Sequence, residues 1–240
     1  MTSFDYTLIP EDDRKPTIGL IVLQSDETVE PELHQWLPPT HYDVLVSRVP
    51  SGEEVTEETL AAMAGHIQRS AELFPKSASF ASVAYCCTSG TSVIGAEKVA
   101  ELVASGCRTK SVTNPLSALV AACNKREIGR LAFLSPYVEA VSSRLRNVLA
   151  QEGIESPVFG SFEEGEEAKV AWIDQDSIIQ AASHLAGSGN ADGIFLSCTN
   201  LKTVNLLEAL QEKLGIPVLS SNFVLAEHLK EQARQVAAPL

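Results

Sequence analysis

The strongest constraint on the fold of this chain is the regular alternation of short apolar runs with segments of helical period. Four apolar runs in the first half begin near positions 17, 42, 79 and 109, and four in the second half begin near 129, 157, 193 and 216. Strands that alternate with helices favour an α/β fold with mainly parallel sheets. Each run of the first half has a counterpart 107 to 115 positions later, which predicts a duplicated lobe. Any long α/β chain has evenly spaced strands, however, so the spacing does not decide the question by itself.

The residues that follow matching strands support the duplication. The third run of each half ends in cysteine and threonine, in AYCCTSG (84–90) and in GIFLSCTNL (193–201). The fourth run of each half ends in a turn with asparagine, in VTNP (112–115) and in LSSN (219–222). Ligands bind beyond the carboxyl ends of parallel strands. Matching polar residues at those ends therefore predict two half-sites, related by a pseudo-twofold axis, around one cleft.

Two cysteines, Cys87 and Cys198, lie where a predicted strand passes into a predicted helix. The free N–H groups at a helix N-terminus favour anions and lower the pKa of a thiol. Polar residues that follow each cysteine can bind a carboxylate substrate: Thr88, Ser89, Thr199 and Asn200. Asn114 joins this predicted site only through the symmetry of the two halves. The remaining cysteines, Cys86, Cys107 and Cys123, are interpreted as small core residues.

A pair of opposed thiols allows two kinds of reaction on a small carboxylate. In the first, one thiolate removes the α-proton and the other thiol delivers a proton from the far side, which inverts the carbon centre. In the second, one thiolate adds to an electron-poor double bond and is expelled after rotation, which gives cis–trans isomerisation. Neither reaction needs a metal or an organic cofactor if N–H donors stabilise the enolate-like carboxylate.

Composition limits the partners. The net charge of −13 argues against nucleic acid and anionic membranes as partners, and the apolar stretches are too short to span a bilayer. No CxxC pair and no Cys/His spacing suited to zinc occurs. The odd number of cysteines and the lack of a signal-like N-terminus predict reduced thiols in the cytoplasm. We expect a homodimer, since this is the commonest assembly of soluble enzymes.

Several strings along the chain resemble a known family. They are GLIVLQSDETVEPEL (19–33), AYCCTSGTSVIG (84–95), SPYVEAVSSRLRNVLAQEGIE (135–155), SCTN (197–200) and SSNFVLAEHL (220–229). In this order they resemble the maleate isomerase and arylmalonate decarboxylase branch of the Asp/Glu racemase superfamily. The paired Cys-Thr motifs are the most specific part of the resemblance. Within the branch, the first loop is most similar to the ectoine-utilisation A proteins, which are regarded as racemase-like.

The resemblance implies an architecture of two pseudo-symmetric, flavodoxin-like lobes. Each lobe would hold a four-stranded, mainly parallel sheet flanked by helices, with the active site in the cleft between the lobes. The N-terminal lobe would combine residues 1–115 with residues 224–240, because the last helix returns to it. Residues 116–223 would form the C-terminal lobe.

The resemblance also implies roles for individual residues. Cys87 and Cys198 would be the catalytic pair, and Tyr137 and Asn222 would contact the substrate carboxylates. Ser25 and Asp26 fall on the first substrate-binding loop of the family. The simpler alternatives stay open: Asn114 and Asn222 can be turn formers and Tyr137 a core ring. The acidic string FEEGEE (162–167) is interpreted as a solvated loop.

The carboxyl group of Asp26 favours one of the two isomerase reactions over the other. The maleate isomerases carry Asn at this place, and a carboxylate there would repel a dicarboxylate unless it were protonated, whereas an amino or hydroxyl group would suit it. We therefore predict a cofactor-independent racemase or epimerase of a small amino or hydroxy acid, with a maleate-type isomerase as the alternative.

The decarboxylase branch keeps only the cysteine of the second lobe, so the presence of both cysteines weighs against decarboxylation. Asp26 can also simply cap a helix, and a non-catalytic carboxylate-binding protein is the alternative outside the enzymes.

Overall fold

A computed structural model describes residues 1–237, without the side chains of Asp12 and Ala237. The eight strands are β1 (Thr17–Leu23), β2 (Asp43–Val49), β3 (Ser82–Cys86), β4 (Val112–Thr113), β5 (Arg130–Tyr137), β6 (Glu155–Glu164), β7 (Gly193–Leu196) and β8 (Val218–Ser220). The helices are α1 (Val29–Trp36), α2 (Glu57–Ala62), α3 (Ala64–Glu72), α4 (Thr88–Ile94), α5 (Ala96–Gly106), α6 (Pro115–Lys125), α7 (Glu139–Gln151), α8 (Glu167–Val170), α9 (Gln175–Ala186), α10 (Leu207–Leu214) and α11 (Ser221–Ala237).

The strands form two four-stranded parallel sheets with the same topology. The first sheet has the order β2-β1-β3-β4 and the second has the order β6-β5-β7-β8. The central strands β1, β3, β5 and β7 are buried over almost their whole length. Central strands of parallel sheets read as continuous apolar runs because helices cover both faces. The predicted α/β architecture with two four-stranded lobes is confirmed.

The core has two layers because successive side chains of a strand point to opposite faces. Ile21 of β1 packs in one apolar cluster, which reaches Leu134 of the second sheet. Its neighbour Leu20 packs in the other cluster, which reaches Phe133. All four side chains are at most 1% exposed, so each stabilises the fold by about 1.5–3 kcal/mol through removal from water. Both layers extend across the two sheets, which fixes the sheets against each other.

The last helix, α11, lies against the first sheet although it follows the second one in sequence. Gln232 on this helix accepts a hydrogen bond from Ser82 Oγ of β3 at 2.6 Å, and His228 Nδ1 lies 2.7 Å from Thr113 Oγ1 of β4. The division into lobes of 1–115 plus 224–240 and 116–223 stays a prediction, and residues 238–240 lie outside the described part. Over residues 1–237, no helix is both long enough and apolar enough to cross a membrane.

Two local predictions are wrong. The acidic string 162–167 is not a solvated loop: β6 continues to Glu164, and Glu167 is a buried residue at the start of α8. The chain after Cys198 does not pass directly into a helix, because a series of turns intervenes and α10 begins only at Leu207. In both places the sequence shows that the segment is polar, but the conformation that we predicted from it is wrong.

Candidate active site

The two predicted catalytic thiols line the same cavity at the carboxyl ends of the two sheets. Cys87 follows β3 directly and caps α4, where its Sγ accepts the backbone N–H of Gly90 at 3.2 Å. Cys198 follows β7, and its Sγ accepts the backbone N–H of Asn200 at 3.2 Å. Both side chains are about 95% buried and border the same pocket. Each sulfur therefore has one fixed N–H donor that favours its anion.

Most of the predicted site residues also border this cavity. They are Ser25, Thr88, Ser89, Tyr137 and Thr199, in addition to the two cysteines. The other predicted residues, Asp26, Asn114, Asn200 and Asn222, are buried but do not line it within the described chain. Each of these four residues forms hydrogen bonds with neighbouring parts of the chain.

Asp26 binds the backbone where α1 begins. Its Oδ1 accepts the N–H groups of Thr28 and Val29, both at 2.8 Å. Its Oδ2 is buried and has no hydrogen-bond partner among the described residues. Burial raises the pKa of Asp26, although the two N–H groups oppose this shift. Asp26 therefore holds the backbone at the start of α1, although the N-cap residue of this helix is Thr28. The substrate role of Asp26 stays a prediction.

Two of the predicted asparagines, Asn200 and Asn114, form hydrogen bonds with backbone groups. Asn200 Oδ1 accepts the N–H of Glu27 at 2.9 Å, and its Nδ2 donates to the carbonyl of Glu167 at 3.1 Å. Asn114 caps α6, since its Oδ1 accepts the N–H of Ser117 at 2.8 Å. Asn200 therefore ties the loop after β1 to α8, whereas Asn114 stabilises its own helix.

Asn222 lies in a buried polar cluster beside α1. Its Nδ2 donates to Glu32 Oε2 and to the carbonyl of Thr199, both at 2.8 Å. Glu32 also accepts the N–H of Val204 at 2.8 Å, and burial raises the pKa of its carboxyl. This cluster joins the first half of the chain to the turns after Cys198. A direct contact of Asn222 with the substrate carboxylate stays a prediction.

Tyr137 connects Cys198 to a carboxylate that the sequence did not reveal. Its Oη lies 2.9 Å from Cys198 Sγ and donates to Glu167 Oε2 at 2.6 Å. Glu167 is only 4% exposed and borders the cavity. Burial raises its pKa to about 7. The one signal for Glu167 was its place just beyond a strand of the second sheet, at the edge where ligands bind.

Cys87 has a tyrosine neighbour with a different environment. Tyr85 Oη donates to Met63 Sδ at 3.5 Å, and its hydrogen bond with Cys87 lowers the pKa of that thiol. Burial raises the pKa of Cys87 to about 12 and raises the pKa of Cys198 well above its ordinary value. In both cases the backbone N–H bond lowers the pKa and opposes part of this shift. Both thiols therefore keep their protons at neutral pH.

A segment of the first half covers the cavity and is bound to the second half. The backbone N–H of Val55 donates to the carbonyl of Gly165 at 3.0 Å, and the N–H of Glu167 donates to the carbonyl of Glu53 at 3.1 Å.

Within the described chain, no lysine or arginine lines the cavity. A substrate carboxylate would therefore be held by backbone N–H groups and hydroxyls, which bind anions without a formal positive charge.

The chain is similar in sequence to arylmalonate decarboxylases and maleate isomerases. The family model described as arylmalonate decarboxylase matches residues 18–234. A maleate isomerase of Nocardia farcinica is 27% identical over 223 residues, which cover 85% of this chain and 84% of that protein. The arylmalonate decarboxylase of Bordetella bronchiseptica is 27% identical over 96 residues, or 40% of each chain.

Solved structures share the fold. A mutant of the Nocardia farcinica maleate cis-trans isomerase with a covalently bound succinylcysteine intermediate superimposes with a TM-score of 0.80 at 24% identity, and covers 92% of this chain and 94% of its own. The maleate isomerase from Pseudomonas putida S16 gives a TM-score of 0.82 at 20% identity, with 91% and 92% covered. At these identities the likeness establishes the architecture alone.

Proposed function

This chain belongs to the arylmalonate decarboxylase family, and we propose that it is a cofactor-independent cis–trans isomerase of the maleate isomerase type, acting on a small unsaturated carboxylate. The observation that carries the proposal is the pair of buried thiols that line one cavity, each with a backbone N–H directed at its sulfur. The relative that matches over 85% of this chain, a maleate isomerase, supports the same activity. The finer likeness to the ectoine-utilisation A proteins stays a prediction.

The reaction requires one sulfur and one double bond. The sulfur lone pair forms an S–C bond, and the π electrons move to the neighbouring carbon and its carboxylate. The remaining single bond rotates, and the same electrons return to expel the sulfur and restore the double bond in the trans form. The N–H groups and hydroxyls around the cavity stabilise the enolate-like carboxylate between these steps.

The acidic residues no longer argue strongly against a carboxylate substrate. Burial raises the pKa of both Asp26 and Glu167, so they keep their protons to a higher pH than ordinary carboxyls. With a pKa of about 7, Glu167 exists in both forms near neutral pH. Repulsion of the substrate is therefore weaker than the bare sequence predicted.

A second candidate, a racemase or epimerase, is favoured by the same two acids. Asp26 and Glu167 lie close enough to both thiols to raise their pKa, and no lysine or arginine of the described residues lines the cavity. An ammonium or hydroxyl group on the substrate would pair with Glu167, which borders the cavity. In this reaction one thiolate removes the α-proton and the other thiol supplies a new one.

One experiment separates the candidates. The purified protein is incubated in deuterated water with maleate, with single enantiomers of aspartate and malate, and with a phenylmalonate, and the products are followed by proton NMR and polarimetry. Isomerisation predicts fumarate without deuterium on carbon. Racemisation predicts deuterium at the α-carbon together with loss of optical rotation, and decarboxylation predicts carbon dioxide and the monoacid. Absence of turnover on all of these would support the carboxylate-binding alternative and contradict the proposal.

A further inference from the structure

The first ten residues form an apolar arm that is exposed along its whole length. All ten are exposed, and none of them lies in a helix or strand. Phe4 is 85% exposed, Tyr6 84% and Leu8 72%. Polar residues alternate with these three, so in an extended chain the three apolar side chains share one face. This alternation is typical of a strand with one buried face, but no residue of the described chain covers that face.

The base of the arm is attached beside β2. Arg14 donates two hydrogen bonds to the carbonyl of Ile9, at 3.0 and 3.1 Å, across a short turn. Lys15 forms an ion pair with Asp43, the first residue of β2, at 2.6 Å. These contacts hold the base of the arm at the amino end of the first sheet, and the apolar residues project from there.

The strand beside this base, β2, is an open edge of the first sheet. It pairs only with β1, and its outer side has no backbone partner among residues 1–237. Its central residues, VLVS (44–47), carry no charge, and Val46 is 38% exposed. An edge strand of this kind presents free N–H and C=O groups with which another chain can pair.

The corresponding edge of the second sheet, β6, is protected. It contains Pro157, ends in two glutamates, and has two register shifts against β5. Charges, proline and bulges are the features by which proteins prevent an edge strand from pairing with another chain. Since the two sheets share one topology, the absence of proline and bulges from β2 shows that only one of these two equivalent edges is open.

A groove at the edge of β2 has room for a side chain of the arm. Its volume is about 460 Å³, and its apolar lining includes Leu37, Tyr42, Val44 and Leu45. Successive residues of a strand point to opposite faces. A groove that touches both Val44 and Leu45 therefore reaches around the free edge of the strand.

We propose that the protein forms a homodimer in which the arm of each copy pairs with β2 of the other copy. Backbone hydrogen bonds of an added strand supply affinity, and its alternate side chains fill the groove. Each of the four aromatic rings of two exchanged arms would bury about 150–250 Å². Together with a similar area on the surface that they cover, this reaches the roughly 1,200–2,000 Å² of a stable interface. The exchange is reciprocal, which closes the assembly at two copies, and it does not depend on the reaction catalysed.

Sedimentation velocity of the 240-residue chain tests the proposal. We expect a dimer at low-micromolar concentration, and a monomer with an unchanged far-UV circular dichroism spectrum when residues 2–9 are deleted. The fold should survive the deletion because the removed residues are all exposed. A monomeric complete chain would overturn the proposal, and so would a dimer that persists without the arm.

Point variants test where the arm binds. Phe4→Ser combined with Tyr6→Ser should raise the dissociation constant of the dimer by about a hundredfold or more, because both rings are lost from each interface. Val46→Lys should weaken the dimer as well, since it places a charge on the edge that the arm covers. Leu73→Lys is the matched control, because Leu73 is 64% exposed at the end of α3, away from this edge. If Val46→Lys dimerises as well as Leu73→Lys, the arm does not bind β2 and the proposal is wrong.

Discussion

The two halves of the site share a scaffold but differ at the cysteine itself. Each sheet has the same strand order, and each third strand leads into a Cys-Thr pair. Cys87 has an ordinary extended backbone with φ of −148° and caps α4. Cys198 has φ of +113°, which an L-residue adopts only at a cost of about 1–3 kcal/mol. The duplicated fold thus brings two sulfurs to one cavity, and the local chain then places them in different surroundings.

The tyrosines beside the cysteines continue this contrast. The hydroxyl of Tyr137 connects Cys198 to the carboxylate of Glu167, whereas the hydroxyl of Tyr85 is hydrogen-bonded to Cys87 and to the thioether of Met63. The comparison teaches that the symmetry of the fold determines where the thiols are, while the residues around them give each thiol a different environment.

The largest expected effect comes from removing either sulfur. Cys87→Ser and Cys198→Ser should each lower kcat by about a thousandfold or more, because a hydroxyl is far less acidic and less nucleophilic than a thiol. Steady-state kinetics on the substrate identified by NMR would measure the loss. Cys107→Ser, which changes a half-buried thiol at the end of α5, is the control and should keep activity. Undiminished activity in one of the two site variants would show that the halves are not both needed.

A second prediction concerns the pH dependence of stability at Glu167. Its folded pKa of about 7 lies above its ordinary value of 4.5, so the neutral carboxyl stabilises the fold fully below pH 4.5, and that contribution is lost as the pH rises to about 7. The loss amounts to roughly 3 kcal/mol, at about 1.4 kcal/mol per pKa unit. Glu167→Gln cannot ionise, so its free energy of unfolding relative to the wild type should rise by that amount between pH 4.5 and 8.

Urea unfolding of both proteins at several pH values measures this difference. Glu166→Gln, a change at the exposed neighbouring acid, is the matched control and should follow the wild type. A Glu167→Gln variant whose stability runs parallel to that of the wild type across this pH range would show that the carboxyl of Glu167 ionises normally.

The smallest expected effect tests the packing around Cys87. A Cβ at Gly90 would lie 2.7 Å from Tyr85 Oη and 2.9 Å from Cys87 Sγ. Gly90→Ala should therefore lower the free energy of unfolding by about 1–3 kcal/mol through overpacking, as urea unfolding would measure. Gly65→Ala is the control, because it also lies in a helix and meets nothing within 4 Å. Equal stabilities of the two variants would mean that the site relaxes around the added methyl.

The sequence predicted much of the site because the informative residues follow strands directly. Cys87, Cys198 and Tyr137 stand at or just beyond the ends of apolar runs, and all three line the cavity. Glu167 was missed because it lies in an acidic string, which usually indicates a solvated segment. Its burial results from the covering segment of the first half, whose carbonyl at Glu53 accepts the N–H of Glu167. A contact between residues more than a hundred positions apart leaves no local pattern.

The sequence by itself determined the two sheets, the duplicated order of strands and the meeting of two thiols, because apolar periodicity and strand ends are local properties of the chain. Only the tertiary structure decided that Glu167 touches Tyr137 and that Asn222 binds Glu32. These facts depend on distances between segments remote in sequence. Burial, which sets the pKa of every acid and thiol in the site, arises only when those segments pack together.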